Sequence, residues 1–160
     1  MTDEEGPLDR RVMTLVHAAR AFAITALDPI EREFHLAIGS ADQLRRWDYL
    51  LTVAGVTVAV SCLHNQVSAS HFARLLPRIR QQLDGWDTES PAALDDCRAF
   101  ITRSLQGNGL PDSPQHVSIV DASGIWVLWN LFGRCPSYEE SRPARAIGRM
   151  LQATFAGWWA

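Results

Sequence analysis

The sequence predicts an all-α fold: a single-domain bundle of about six or seven helices around a buried central helix at about residues 41–65. Three observations carry this. Residues 49–63 contain no charge, and their polar side chains are the hydroxyls of Tyr49, Thr52, Thr57 and Ser61. A helix apolar on every side has to be enclosed by other elements. The flanking segments repeat apolar residues at helical spacing, and serine, aspartate, proline and glycine punctuate the chain at the positions where helices begin and end.

Taken in order, residues 1–6 form an acidic leader with no regular pattern, expected to be disordered. Leu8, Val12, Leu15, Val16, Ala19, Phe22, Ala23 and Ala26 then mark the buried face of a first helix, with Asp9, Arg10 and Arg20 off that face. Asp28-Pro29-Ile30-Glu31 supplies a cap, a first-turn proline and a reciprocal carboxylate, so a short second helix is expected to start there and stop at Gly39. Ser40-Ala41-Asp42-Gln43 is a capping box that opens the central helix. The valine and threonine content of residues 52–61 suits a strand, but no turn signal interrupts residues 40–65, and this decides for helix.

The next helix is expected from Ser68 or Ser70, carrying Phe72, Leu75, Leu76, Ile79, Leu83 and Trp86 on one face, kinked or split by Pro77. Ser90-Pro91 reads as an N-cap with its following proline, and Leu94, Cys97, Ile101 and Leu105 mark a helix that ends at Gly107. Two glycines and two prolines make residues 107–116 a surface loop. A short, almost wholly apolar helix follows over 121–133, closed by Gly133. The last helix is expected to start either at the capping box Ser137-Tyr138-Glu139-Glu140 or at Ser141-Arg142-Pro143. It carries Ile147, Met150, Leu151, Phe155, Trp158 and Trp159 along one face.

Composition narrows the function. The net charge is −3, against the basic footprint of a general nucleic-acid binder. All 15 cationic side chains are arginine, as in a GC-rich, bacterial genome or in a chain selected against amine modification. Three scattered cysteines and an acidic N-terminus without an apolar stretch fit a cytoplasmic protein. The central apolar run is shorter than the roughly 20 residues of a membrane span, so no membrane is expected.

No residue set matches a catalytic, metal or nucleotide motif, and no cofactor is expected. His64 and His71 with Cys62 fall short of a converging metal shell. Glu31 and His35 read as a helix-surface pair. Cys135, beside Arg134, is the one candidate reactive thiol, because a neighbouring cation lowers a thiol pKa. The arginine stripes Arg74/Arg78 and Arg142/Arg145/Arg149 could face an acidic partner. Four of the six tryptophans, Trp126, Trp129, Trp158 and Trp159, fall in the last quarter of the chain, together with Arg134 and Tyr138. Tryptophan, tyrosine and arginine are the residues enriched at interface hot spots.

These features lead to a non-enzymatic protein interaction domain, such as an adaptor, immunity-type or assembly subunit. It would bind another protein chain or itself through Trp126, Trp129, Arg134, Tyr138, Arg142, Arg145, Arg149, Trp158 and Trp159. The alternative is a helical small-molecule binder or enzyme with its pocket between the central and C-terminal helices.

Overall fold

The computed structural model describes residues 5–36, 38–107, 118–137 and 139–160, without the side chains of Glu5 and His64. Most of the expected leader, the expected loop beyond Gly107, and Tyr138 lie outside the described residues. The described chain is all helical: α1 (Glu5–Phe34), α2 (Ala41–Gln66), α3 (Ala69–Trp86), α4 (Ser90–Leu105), α5 (Ile119–Phe132) and α6 (Ser141–Phe155). Among these residues no helix is long and apolar enough to cross a membrane.

The centre of the bundle is α2, which touches each of the other five helices. Its capping box forms as expected: Ser40 Oγ accepts from Gln43 N at 3.1 Å, and Gln43 Oε1 accepts from Ser40 N at 3.3 Å. From Leu50 through Val60 every residue is buried. The Thr52 and Thr57 hydroxyls each donate at 2.7 Å to the carbonyl four residues earlier, which satisfies them inside the helix. Trp47 is fully enclosed, and its indole N–H donates to Ala23 O of α1 at 3.0 Å.

The expected short second helix does not exist, because α1 runs without a break from Glu5 through Pro29 to Phe34. The buried stripe of Val12, Leu15, Ala19, Ala23 and Ala26 continues in phase to Ile30, so only an unbroken helix keeps Ile30 in the core. Asp28 does not cap; it pairs with Arg32 at 3.6 Å. The helix stops at Phe34, five residues before Gly39, and His35 follows with a left-handed φ of 53°.

Pro77 does not split α3. The proline is exposed, as is Ala73, whose carbonyl loses its helical donor there. At α4 the expected cap is displaced by one residue. Ser90 is the first helical residue, and its buried hydroxyl donates to Leu83 O and Asp87 O at 2.9 and 2.7 Å, tying the α3–α4 turn. The last helix starts at Ser141, while Glu140 still bonds Ser137 N at 2.8 Å in the preceding turn.

Two helices approach unusually closely. A methyl group at Gly124 of α5 would lie 1.7 Å from Ala144 O of α6, and one at Gly148 of α6 would lie 1.8 Å from Val120 O of α5. Only glycine at both positions lets these backbones meet. The α5–α6 pair then closes one side of α2, where the Phe155 ring lies directly over Gly55.

Candidate functional site

The tryptophans of the C-terminal quarter are largely spent on the core. Trp126 is 3% exposed and donates to Asp96 Oδ2 at 3.0 Å; Trp159 is 4% exposed and donates to Ala59 O of α2 at 2.8 Å. Trp159 is not on the last helix as expected, since α6 ends at Phe155 and a turn carries Trp158 and Trp159 back across the bundle. There Trp158 donates to Arg11 O at 3.0 Å, and the Arg11 guanidinium donates to Trp159 O. Trp129 is half-buried against Phe100, with ring centroids 6.0 Å apart.

The arginines of the expected site divide. Arg134 is held by Glu140 through two bonds at 2.6 and 3.2 Å, and Arg145 by Asp121 at 3.0 and 3.3 Å. Arg142 and Arg149 are exposed. Tyr138 lies outside the described residues. On the other expected stripe, Arg74 and Arg78 both turn inward to Asp9 of α1. The expected surface is therefore not one continuous aromatic face.

The thiol expectation is corrected as well. Burial pushes the Cys135 thiol above its ordinary value and outweighs the nearby Arg134, whose charge is already answered by Glu140. Burial also raises the thiols of Cys62 and Cys97. Among the described residues no three metal-ligating side chains converge. His35 follows Glu31 as the residue closing α1, bonded through its backbone.

A different surface carries the two most exposed large apolar side chains among the described residues. Met13 and Ile24 of α1 are 65% and 69% exposed. They lie at helical spacing with His17 and Arg20, so the four share one outward face of α1. This face borders two adjoining depressions that share His17, Arg20 and Trp86. One, of 360 Å³, runs between α1 and α2 and is walled by Ile24, Tyr49 and Thr52; the other, of 720 Å³, runs between α1 and α3 past Met13 and Gln82. Trp86, at the end of α3, stacks on Tyr49 of α2 with centroids 5.6 Å apart and an interplanar angle of 27°. The Arg20 guanidinium lies 5.7 Å from the Trp86 ring centroid.

The electrostatics of this groove are uneven. Desolvation raises the Asp48 carboxyl above its ordinary range. The Tyr49 hydroxyl is raised first by desolvation and then by the charges of Asp87 and Glu89. Arg45 at the rim pairs with Asp42 in the first turn of α2. A third, smaller recess of 200 Å³ lies between α4 and α5 beside Trp126 and Trp129. These depressions do not coincide with a pocket between the central and C-terminal helices, where Phe155, Trp159 and Leu128 fill the space.

The α1 groove has a sequence signature that the buried-stripe reading passes over. Met13 and Ile24 are large apolar residues off the buried face, separated by three helical turns, and with His17 and Arg20 they make a second stripe. Trp86, read as a core residue, is half-exposed because it is the last residue of its helix. Comparison with protein-family models, curated proteins and solved structures finds no match.

Proposed function

We propose that the chain is a non-enzymatic interaction domain that docks another polypeptide along the groove between α1, α2 and α3. The observation that carries this is the outward face of α1, which keeps Met13 and Ile24 uncovered beside the Tyr49–Trp86 pair. Large exposed apolar side chains bordering an aromatic depression are the makings of an interaction site. The proposal keeps the interaction role expected from the sequence and moves it away from the C-terminal tryptophans, whose indoles hold the bundle together. It also retains a cytoplasmic, bacterial setting, supported by the lysine-free composition and three free cysteines.

The test is site-specific photo-crosslinking in the native cells. A benzophenone side chain at position 24 should give a discrete protein adduct that is lost in the Met13→Asp variant. The same probe at position 149, on the exposed part of the C-terminal arginine face, should give none. An adduct from position 149 and none from 24 would return the site to the C-terminal face. An adduct of twice the 17.8 kDa chain mass would identify a second copy as the occupant.

A further inference from the structure

We infer that the recess beneath Arg20, Tyr49 and Trp86 receives the guanidinium of an arginine on a basic segment of a different protein, with Asp48 as its counter-charge. This deepens the docking proposal and rests on it.

Among the described residues no ion pair reaches Asp48, and desolvation is the cause acting on its carboxyl. Of the two cations just before it on α2, Arg45 is committed to Asp42 and Arg46 donates to Leu131 O. Among the described residues, the recess therefore holds a carboxylate outside any ion pair. Beside it, Tyr49 and Trp86 form an aromatic wall, and Asp87 and Glu89 act on Tyr49 from beyond. Aromatic faces carry negative charge density and attract cations. A guanidinium entering here, past His17, Arg20 and Arg45 on the same wall, would stack on the ring and bond the Asp48 carboxylate.

The protein supplies its own demonstration. The Arg20 guanidinium lies 5.7 Å from the Trp86 ring centroid and, among the described residues, forms no ion pair, so the platform accepts a planar cation. Arg20 is exposed. It is thus an internal competitor for the place that a partner arginine would take. The net charge of −3 favours a basic partner at long range and disfavours a second copy of this chain.

This arrangement makes mutations of opposite sign. The probe is N-acetyl-argininamide titrated into the full chain, read by NMR at the Trp86 indole N–H, which the Trp86→Phe variant assigns. N-acetyl-citrullinamide, of the same shape and uncharged, is the control. Argininamide should shift the Trp86 signal and the citrulline analogue should not. Asp48→Asn should weaken binding about fivefold, as expected for loss of a charged hydrogen bond near the surface. Arg20→Gln should tighten it by roughly twofold or more, as the competing cation–π contact is removed. Both substitutions lie on exposed positions, and unchanged spectra elsewhere confirm the fold.

Equal binding of the two probes, an unaltered affinity in Asp48→Asn, or weaker binding in Arg20→Gln would each overturn the inference. If argininamide does not bind while crosslinking from position 24 persists, the guanidinium recess is wrong and the docking groove stands. If argininamide binds with the expected signs while no adduct forms from position 24, the recess is a cation site and the docking proposal is what fails.

Discussion

Glu140 shows how a single side chain can make one part of the bundle sensitive to acid. Its carboxylate accepts two bonds from Arg134 and one from the Ser137 backbone, and these hold its pKa below the ordinary value of 4.5, led by the Arg134 bonds. A lowered folded-state pKa means that the unfolded chain takes up the proton first as pH falls. The stabilisation is therefore complete above pH 4.5 and lost as pH drops through the folded-state value below it. Glu140→Gln should be less stable than the parent at pH 7, with the difference shrinking as pH falls below 4.5 in urea melts. A difference that stays constant down to pH 3 would show that the pair contributes nothing through its charge. Burial is the main cause that holds the Cys135 thiol above its ordinary value, and the Glu140 charge adds to it against the lowering effect of Arg134.

At the scale of the element, the α5–α6 crossing depends on two glycines that the sequence presents without any turn signal. The atoms nearest an added methyl are the backbone carbonyls of Ala144 and Val120, which cannot move aside as a flexible side chain can. Gly124→Ala and Gly148→Ala should each force the helices apart and destabilise the domain by about 1–3 kcal/mol or more. Gly85 is the matched control, because a methyl there meets nothing within 4 Å on α3. Gly85→Ala should stabilise by about 0.5–1 kcal/mol through helix propensity alone. Thermal melts of the three variants separate the two effects by sign. The long α1 makes a related point: Pro29 looks like the start of a helix in isolation, yet the burial of Ile30 keeps the helix going through it.

Across the whole molecule, the turn after α6 acts as a clasp that joins the two ends of the chain. Trp158 donates to Arg11 O of α1, the Arg11 guanidinium donates to Trp159 O, and the Trp159 indole is seated against Ala59 in the buried stretch of α2. Trp159→Ala should destabilise by about 3–5 kcal/mol, the cost of emptying a large aromatic site. That is a large share of the roughly 5–15 kcal/mol of a typical domain. If instead the variant melts within a degree or two of the parent, the clasp is only an appendage. Removing α6 to test partner binding would remove Ile147, Leu151 and Phe155 from the core as well, so point substitutions in the α1 groove are the cleaner probe.

The all-helical class, the buried α2, the Ser40 capping box and the Gly133 stop were all legible in the sequence. Each depends on local rules: an uncharged run has to be enclosed, and a serine three residues before glutamine closes a helix end. What lay beyond those rules depended on which face met which neighbour. Trp126 and Trp159 have the composition of a hot spot, but their N–H groups find Asp96 and Ala59 only once α4 and α2 are in place. Arg74 and Arg78 read as a free stripe until α1 brings Asp9 to them. Met13 and Ile24 lie off the buried stripe of α1, and the tertiary structure leaves them exposed. Periodicity determines that a side chain has a face, while tertiary packing decides whether that face ends in the core, in an ion pair or in water, because those energies belong to residues far apart in the chain.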